Sequence, residues 1–247
     1  LSSMETKGIL VAKSMGKILG LKVPPISWHS SRDRVALVAT TLGILQGNIG
    51  KLAEDICLLM QTEISEVFEP TVKGKGGSSS MPHKRNPVSC IAIRANSTRM
   101  PGLVSTLLNC IDGDHERASG HWHAEWETLS SIVMLSAGSA RQAVVATDGL
   151  EVDTIQMLRN LELTKGLIYA ENINNTLARH IGKSKAEELV DKACQEAKDQ
   201  RIHLKEIITR NQEVVQYLSP DQIEALFDPQ NSLGLNEEYI DSVLKLI

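Results

Sequence analysis

The chain has 247 residues, of which 42% are hydrophobic and 23% are charged, a composition typical of folded globular proteins that excludes a disordered chain. Its formal net charge of −4 gives no general attraction to nucleic acid or to an anionic membrane surface, so any anion binding must be local. No apolar run approaches the roughly 20 residues of a membrane span, and no secretory leader opens the chain, so a cytoplasmic location is expected.

The first predicted helix runs from Met4 to Leu19, where apolar residues recur at helical spacing. Gly20, followed by Pro24 and Pro25, should end it, because glycine suits a helix C-terminus and proline cannot continue a helix. The chain begins with leucine rather than methionine, and this helical pattern starts almost at once. We therefore expect the chain to be a piece of a longer polypeptide that lacks its N-terminal part.

A second, unusually long helix is predicted from Asp33 to about Phe68, where apolar residues recur three and four positions apart. Three glycines, Gly43, Gly47 and Gly50, lie within it, and each costs on the order of 1 kcal/mol relative to alanine in a helix interior. Close approach of a neighbouring helix would offset that cost, although the glycines could also merely loosen the helix.

Glu69 and Pro70 should end this helix, and a glycine-rich basic loop follows. A further long helix is predicted over residues 87–111, with a kink at Pro101. A polar turn then leads into a third long helix that extends through Val145. Residues 1–152 are therefore predicted to form a bundle of long helices joined by polar loops.

After Val152 the helical patterns become short, which predicts a small separate helical domain over residues 153–247. One helix start is well marked, because Ser219 is a favoured N-cap residue, Pro220 suits the first helical position and Gln222 can complete a capping box. Strand patterns are absent, and only 3% of residues are aromatic. The predicted fold class is all-α.

The loop between the first two long helices, "GGSSSMPHKRNP" at residues 76–87, suits neither a helix nor a strand. Glycines make its backbone permissive, and hydroxyl and basic side chains together suit an oxyanion or a polycarboxylate. These residues are Gly74, Gly76, Gly77, Ser78, Ser79, Ser80, Lys73, Lys75, Lys84 and Arg85. It is not a phosphate-binding Walker loop, because the Gly-Lys-Ser/Thr ending is missing. An inert flexible linker is the alternative on composition alone.

Residues 77–87, here called the signature loop, resemble the signature of the fumarase/aspartase superfamily, Gly-Ser-Ser-x-Met-Pro-x-Lys-x-Asn-Pro, and all eight fixed positions match. The resemblance implies a homotetramer built on a bundle of long helices, with each active site formed by three subunits. It also implies proton removal next to a substrate carboxylate with elimination at the adjacent carbon, without metal or cofactor. Arg85 occupies a variable position of the signature and is left without a role.

The signature also implies the roles of individual loop residues. Ser78 would be the catalytic base, and its alkoxide must be stabilised because a serine hydroxyl is a poor base in water. Lys84 would stabilise that alkoxide and, with Asn86, bind the carboxylate that becomes doubly charged; Ser79 and Met81 are further candidate substrate contacts. Lys84 could instead be a solvated surface lysine, and Asn86, which precedes Pro87, also resembles a helix N-cap.

Within the superfamily, a glutamate generally lies four residues after the closing proline and pairs with a catalytic histidine, but this chain has Ile91 there. Segments "WHSSRDR", "LLMQTEISEVFEP" and "HERASGHWHAEWETL" resemble the bacterial 3-carboxy-cis,cis-muconate cycloisomerases. That family interconverts 3-carboxy-cis,cis-muconate and 4-carboxymuconolactone in protocatechuate breakdown through the β-ketoadipate pathway. Its leaving group is an internal carboxylate, a weak base that can depart unprotonated, which is consistent with the missing glutamate.

Four residues outside the loop are weaker candidate substrate contacts. His29 and Arg32 lie in the segment that reaches a neighbouring site in relatives, although His29 could equally be a structural loop histidine. Arg117 could bind a carboxylate and Trp122 could line the pocket, but charged and aromatic residues at a helix start are as often structural.

No metal site is predicted. His121 and His123 are two residues apart, so they cannot share a helix face, and no third ligand is nearby. The four cysteines lie far apart in apolar surroundings without a CxxC pair, so they should be reduced core residues: Cys57, Cys90, Cys110 and Cys194.

The expected function is therefore that of a cycloisomerase acting on a small polycarboxylate, without metal or cofactor and without nucleic acid or membrane as a partner. Two alternatives stay open. One is adenylosuccinate lyase or a related lyase of the superfamily. The other is a non-catalytic structural protein of the kind represented by crystallins related to argininosuccinate lyase.

Overall fold

A computed structural model of the protein describes residues 2–71, 76–77, 80–81 and 83–247. The chain divides into two compact units, Leu1–Val152 and Asp153–Ile247. Helices dominate both units, which confirms the predicted all-α fold class.

The first unit consists of helices with one short β-ribbon. Its elements are α1 (Gly8–Leu19, preceded by a 3-10 turn at Ser2–Lys7), α2 (Asp33–Leu59), β1 (Val67–Phe68), α3 (Val88–Asn109), α4 (His121–Thr147) and β2 (Glu151–Val152). The prediction that the second helix reaches Phe68 is wrong: α2 ends at Leu59, and the chain turns into β1. The ribbon, in which Phe68 lies opposite Glu151, has no signal in the sequence because each strand is only two residues long.

Helices α2, α3 and α4 form a bundle in which α3 runs antiparallel to the other two, with a small apolar core at each end. At one end the buried residues are Ala53, Ile56, Met60, Cys90, Ile93 and Ala146. At the other end they are Ala39, Met100, Leu107 and Ile132. The C-terminus of α2, the N-terminus of α3 and the C-terminus of α4 therefore lie together. The opposite termini lie at the far end, about 40 Å away at 1.5 Å per helical residue.

Two of the three helical glycines of α2 are explained by close packing, as predicted. A Cβ at Gly43 would lie 3.0 Å from Val104, and one at Gly50 would lie 2.4 Å from the hydroxyl of Ser97, both on α3. At Gly47 the space around a Cβ is open. Helix α3 continues through Pro101.

The second unit is a cluster of shorter helices around one core. They are α5 (Thr154–Glu162), α6 (Ala170–Ile181), α7 (Lys183–Gln200), α8 (Leu204–Arg210), α9 (Gln212–Val215), α10 (Pro220–Leu226) and α11 (Asn236–Leu244), with 3-10 turns at Leu167–Tyr169 and Pro229–Ser232. The predicted capping box at the start of α10 is confirmed, with Ser219 and Gln222 bonded to each other's backbone amide.

By length and mean hydropathy, α2 and α4 could each cross a membrane, contrary to the prediction of no spanning segment. The core helices of large bundles have the same composition, because they are covered by protein on several sides. Both helices also carry fully buried polar side chains, such as Gln46 in α2 and Glu125 in α4, that contact other helices of the bundle or the segment before it.

Candidate active site

The described part of the signature loop is closed at its base by backbone pairing. Gly77 and Arg85 form an isolated antiparallel β-bridge. Asn86 donates both its backbone N–H and its side-chain Nδ2 to the carbonyl of Gly76, at 2.8 and 2.9 Å. We call residues 76–77 and 85–86 the loop stem. Gly76 has a φ of +78°, and a Cβ there would lie 2.9 Å from the carbonyl oxygen of Asn86, so the stem requires glycine at this position.

In the sequence, the predicted catalytic residues Ser78 and Lys84 fall between Gly77 and Arg85. Ser78 and Ser79, the predicted base and its neighbour, lie outside the described residues. Lys84 is exposed, and its backbone N–H donates to the carbonyl of Met81 at 3.0 Å, which forms a turn directly before the stem residue Arg85. Met81 is exposed as well. Met81 and Lys84 are thus both exposed, and their predicted contacts with substrate stay predictions.

Asn86 does not cap helix α3, which corrects the reading of this residue as an N-cap. Its side chain is bonded to Gly76, and the residue before the helix, Pro87, has no capping side chain. Glu69 supplies the cap instead: its buried carboxylate accepts from the backbone N–H groups of Ser89 and Cys90, at 3.1 and 2.8 Å. A carboxylate at this position also balances the positive end of the helix dipole.

Because Glu69 occupies these amides, positive charge for an anionic substrate must come from side chains rather than from the start of α3. The thiol of Cys90 is not an alternative nucleophile. Burial, with the neighbouring Glu69, raises its pKa and keeps it protonated. All four cysteines are free thiols.

A second group of predicted residues meets where α2 and α4 begin. The ring of His29 lies 4.9 Å from that of Trp122 in an edge-to-face arrangement. Trp122 contacts Trp126 in the same way, at 5.3 Å. The Nε2 atom of His29 is buried and has no hydrogen-bond partner among the described residues. The described contacts give this buried nitrogen no partner, and the predicted substrate contact of His29 stays a prediction.

Arg32 belongs to the same group but already has a partner that the sequence did not reveal. Its guanidinium donates to both carboxylate oxygens of Glu125, at 2.8 and 2.5 Å, and both side chains are buried. It also donates to the backbone carbonyl of His29 at 3.2 Å. The hydrogen bond to Glu125 raises the pKa of Arg32 above its ordinary value. The contacts seen here give Arg32 a structural role in holding His29, and its predicted substrate contact stays a prediction.

Two further residues considered in the sequence analysis lie at the surface of the chain. Arg117 is exposed in the turn before α4, and Ile91 is exposed in the first turns of α3. An apolar side chain at position 91 has no group that could hold a proton of a catalytic histidine.

The two groups of candidate residues lie at opposite ends of the bundle. The loop stem leads into α3 at the end where Cys90 packs with Ala53 and Ala146. His29, Arg32 and Trp122 lie at the other end, where α2 and α4 begin. Since α2 has 27 residues, the separation is about 40 Å, far more than one small substrate could span. These groups can form one site only if they come from different copies of the chain.

Comparison with known proteins gives matches over nearly the whole chain. Residues 3–102 match the family model described as "Lyase", and residues 166–243 match "Adenylosuccinate lyase C-terminus". The chain is 44% identical over 245 residues to the 3-carboxy-cis,cis-muconate cycloisomerase of Acinetobacter baylyi, covering 99% of this chain and 54% of that protein. It is 45% identical over 244 residues to the enzyme of the same name from Pseudomonas aeruginosa, covering 99% and 53%.

Comparison with solved structures gives the same family of enzymes. The crystal structure of 3-carboxy-cis,cis-muconate lactonizing enzyme from Pseudomonas putida superposes with a TM-score of 0.92 at 42% identity, covering 99% of this chain and 55% of that one. The chain thus spans about half the length of the relatives it matches.

Proposed function

Since the chain belongs to the fumarase/aspartase superfamily of lyases, we propose that the protein containing it is a 3-carboxy-cis,cis-muconate cycloisomerase. The reaction would interconvert 3-carboxy-cis,cis-muconate and 4-carboxymuconolactone within the β-ketoadipate pathway of protocatechuate breakdown. The observation that carries the proposal is the complete signature loop, with Lys84 exposed beside its stem and Asn86 in its stem, in a chain similar throughout to enzymes of that name.

In the direction from lactone to muconate, the alkoxide of Ser78 takes a proton from the carbon next to a substrate carboxylate. The electron pair of that C–H bond forms the new double bond, and the lactone C–O bond breaks to release an internal carboxylate. Lys84 and Asn86 hold the carboxylate that becomes doubly charged, because a cation and an amide donor stabilise negative charge as it develops. Ser79 and Met81 contact the same substrate. The reaction involves no oxidation or reduction, so it needs no redox cofactor, and in this proposal Lys84 and Asn86 stabilise the developing charge without a metal.

The exposed Ile91 supports this particular chemistry. A water or amine leaving group needs a positioned acid, and a glutamate at this place would orient the histidine that supplies the proton. A departing carboxylate is a weak base and leaves without protonation. Replacement of the glutamate by isoleucine therefore costs a lactone-opening enzyme little.

We also propose that the protein is a homotetramer in the cytoplasm, with each site shared between subunits. The separation of about 40 Å between the loop and the group formed by His29, Arg32 and Trp122 supports it, because a second copy must bring them together. In such a site His29, Trp122 and Arg117 contact the substrate from neighbouring chains. A small polycarboxylate is the partner, and nucleic acid and membrane are not required.

The test uses the purified full-length protein and 3-carboxy-cis,cis-muconate, whose diene absorbs in the ultraviolet. We expect the absorbance to fall as the lactone forms, and Ser78→Ala to abolish this change while the assembly stays intact by light scattering. Unchanged absorbance with an intact wild-type assembly would overturn the proposal. Turnover of adenylosuccinate in a parallel reaction would support the lyase alternative, and no turnover of either substrate would support the crystallin-like one.

The shared site has a test of its own. Ser78→Ala and His29→Ala should each be inactive, and co-expression of the two variants should restore part of the activity, because mixed assemblies contain some sites with one intact copy of each residue. No recovery from assemblies shown to be mixed would rule out a site shared in this way.

A further inference from the structure

Arg85 is the one residue of the loop stem whose side chain leaves the loop and contacts the β-ribbon. Its guanidinium donates to both carboxylate oxygens of Glu151 on β2, at 2.7 and 2.8 Å. It also donates to the backbone carbonyl of Glu69 at 2.6 Å and lies 4.6 Å from the ring centre of Phe68 on β1. Phe68 and Glu151 lie opposite each other in the ribbon, so a single side chain bridges both strands.

These contacts use the features that distinguish arginine from lysine. The planar guanidinium binds a carboxylate through two parallel hydrogen bonds, keeps a further N–H for the carbonyl, and stacks on an aromatic ring. A lysine ammonium could satisfy only part of this set. The hydrogen bonds from Arg85 in turn hold the pKa of Glu151 below its ordinary value.

Contacts with the ribbon and with the loop stem hold Arg85 in place. Glu69, the residue after β1, binds Arg85 through its carbonyl and the first amides of α3 through its carboxylate. Within the loop stem, the backbone of Arg85 forms the β-bridge with Gly77, and the side-chain amide of Asn86 donates to the carbonyl of Gly76. The predicted base Ser78 follows Gly77 directly, and Lys84 precedes Arg85. In the sequence, each predicted catalytic residue is therefore adjacent to one of the two residues of the Gly77–Arg85 bridge.

We propose that Arg85 is a positioning residue, which through Glu151, Glu69 and Phe68 holds the loop stem so that Lys84, Asn86 and the adjacent Ser78 are correctly placed for catalysis. This inference rests on the proposed function. Arg85 itself does not touch the substrate, because its hydrogen bonds are directed at the ribbon. A loop rich in glycine needs such a fixed base, since its own backbone supplies little rigidity.

The central variants are Arg85→Ala, Glu151→Ala and their combination in the full-length protein. We expect each single variant to lower kcat about 100-fold with a smaller change in KM, because displacement of catalytic groups by about 1 Å costs that much. The double variant should be no worse than Arg85→Ala, because Arg85→Ala already removes the only contact that Glu151→Ala removes. Arg85→Lys should recover only part of the loss. A matched control is Arg210→Ala, which removes the exposed Arg210–Glu206 pair on α8 and should leave kcat unchanged.

A second readout does not depend on activity. Hydrogen exchange of peptides covering residues 76–90 should become faster in Arg85→Ala and Glu151→Ala, while peptides of α6 and α7 exchange as in the wild type. Such a local change separates a positioning role from a general loss of stability. If Arg85→Ala does not fold, Glu151→Ala decides the question, since its side chain is half-exposed and removes no core packing.

Three results would overturn the inference. One is a Glu151→Ala variant with the kcat of the wild type. A lower KM in that variant would also overturn it, because it would indicate that Arg85 binds substrate once its side chain is released from Glu151. Another is a double variant whose kcat falls about 10⁴-fold, the product of the two single losses, which would indicate that Arg85 and Glu151 act independently. The third is unchanged exchange at residues 76–90. If the wild-type protein itself shows no turnover, the proposed function fails, and the exchange experiment still tests whether Arg85 holds the loop stem.

Discussion

The two units of the chain bury their apolar residues to different extents. In residues 153–247, fifteen buried hydrophobic residues form a single core. In the longer unit, residues 1–152, the described residues form two separate cores of six and four. Large side chains of α2 and α4 remain exposed instead, among them Leu37, Ile44, Met134 and Val144. The smaller unit is therefore the better packed of the two.

The cause lies in how apolar residues are distributed around the helices. In α6 and α7 they are confined to one face, which the core covers. In α2 and α4 they occur on all sides, while several of the buried positions carry small or polar residues such as Ala39, Gln46 and Ser139. A helix that is apolar all round is stable only when protein covers it on several sides. The difference indicates that further protein must cover the long helices, and in the tetramer proposed above other copies of the chain provide part of that cover.

The largest expected effect comes from separating the units. Expressed alone, residues 153–247 should remain folded and unfold cooperatively in urea, because their core is complete. Residues 1–152 alone should aggregate or lack a cooperative transition, because large exposed apolar patches associate. Circular dichroism and light scattering would measure both. A fragment of residues 1–152 that is monomeric and unfolds cooperatively would contradict the conclusion that the long-helix unit is the less well packed of the two.

Within the long-helix unit, the buried pair of Arg32 and Glu125 should be the most sensitive polar contact. Glu125→Ala leaves the buried guanidinium of Arg32 without its partner, which should lower the free energy of unfolding by about 3–5 kcal/mol. The matched control is Glu206→Ala in the exposed Arg210–Glu206 pair of α8, which should cost less than about 0.5 kcal/mol. Denaturant unfolding of the full-length protein, followed by hydrogen exchange in α2 and α8, would compare the two. Equal effects would show that the Arg32 pair is not isolated from water.

Truncation of a core side chain tests the smaller unit in the same way. Leu177 is fully buried in α6, so Leu177→Ala should lower the free energy of unfolding by about 2–5 kcal/mol through lost contacts and the cavity left behind. Leu163→Ala changes an exposed leucine of the same unit and should stay within about 0.5 kcal/mol of the wild type. Hydrogen exchange of α6 in both variants is the measurement. A small loss at Leu177 would mean that this core relaxes to fill the cavity.

Features set by neighbouring residues were predictable from the sequence. Gly20 ends α1 in a left-handed conformation, and the capping box of Ser219 and Gln222 opens α10, because each depends on residues within one helical turn. The complete signature made the loop recognisable as well. The roles of Ser78, Lys84 and the other site residues stay predictions.

Features set by distant residues were not predictable. Glu69 caps a helix that begins 19 residues later, and Arg32 binds a carboxylate 93 positions away. Neither pairing follows from composition or periodicity, since many other charged residues of the chain could have formed it. The early end of α2 has the same origin, because the apolar residues after Leu59 belong to the ribbon and its turn rather than to a continued helix stripe.

The smallest expected effect concerns the capping box of α10. Ser219→Ala removes the acceptor for the backbone N–H of Gln222 and should lower the free energy of unfolding of the smaller unit by about 1 kcal/mol. Gln222→Ala is the matched control, because it removes only the reciprocal bond to the backbone N–H of Ser219, which can bond to water instead. It should therefore cost less than Ser219→Ala. Urea unfolding of the isolated 153–247 fragment would resolve the two.

This last comparison depends on the smaller unit folding without help from other copies of the chain. If it does, a lost cap at Ser219 lowers the stability of the whole fragment, since a single core couples α10 to α6 and α8 through Ile223, Leu177 and Ile208. If Ser219→Ala instead frays only α10 and leaves the exchange of α6 unchanged, the core is less cooperative than its continuous packing indicates. The two units would then differ less in the cooperativity of their unfolding than their single and divided cores indicate.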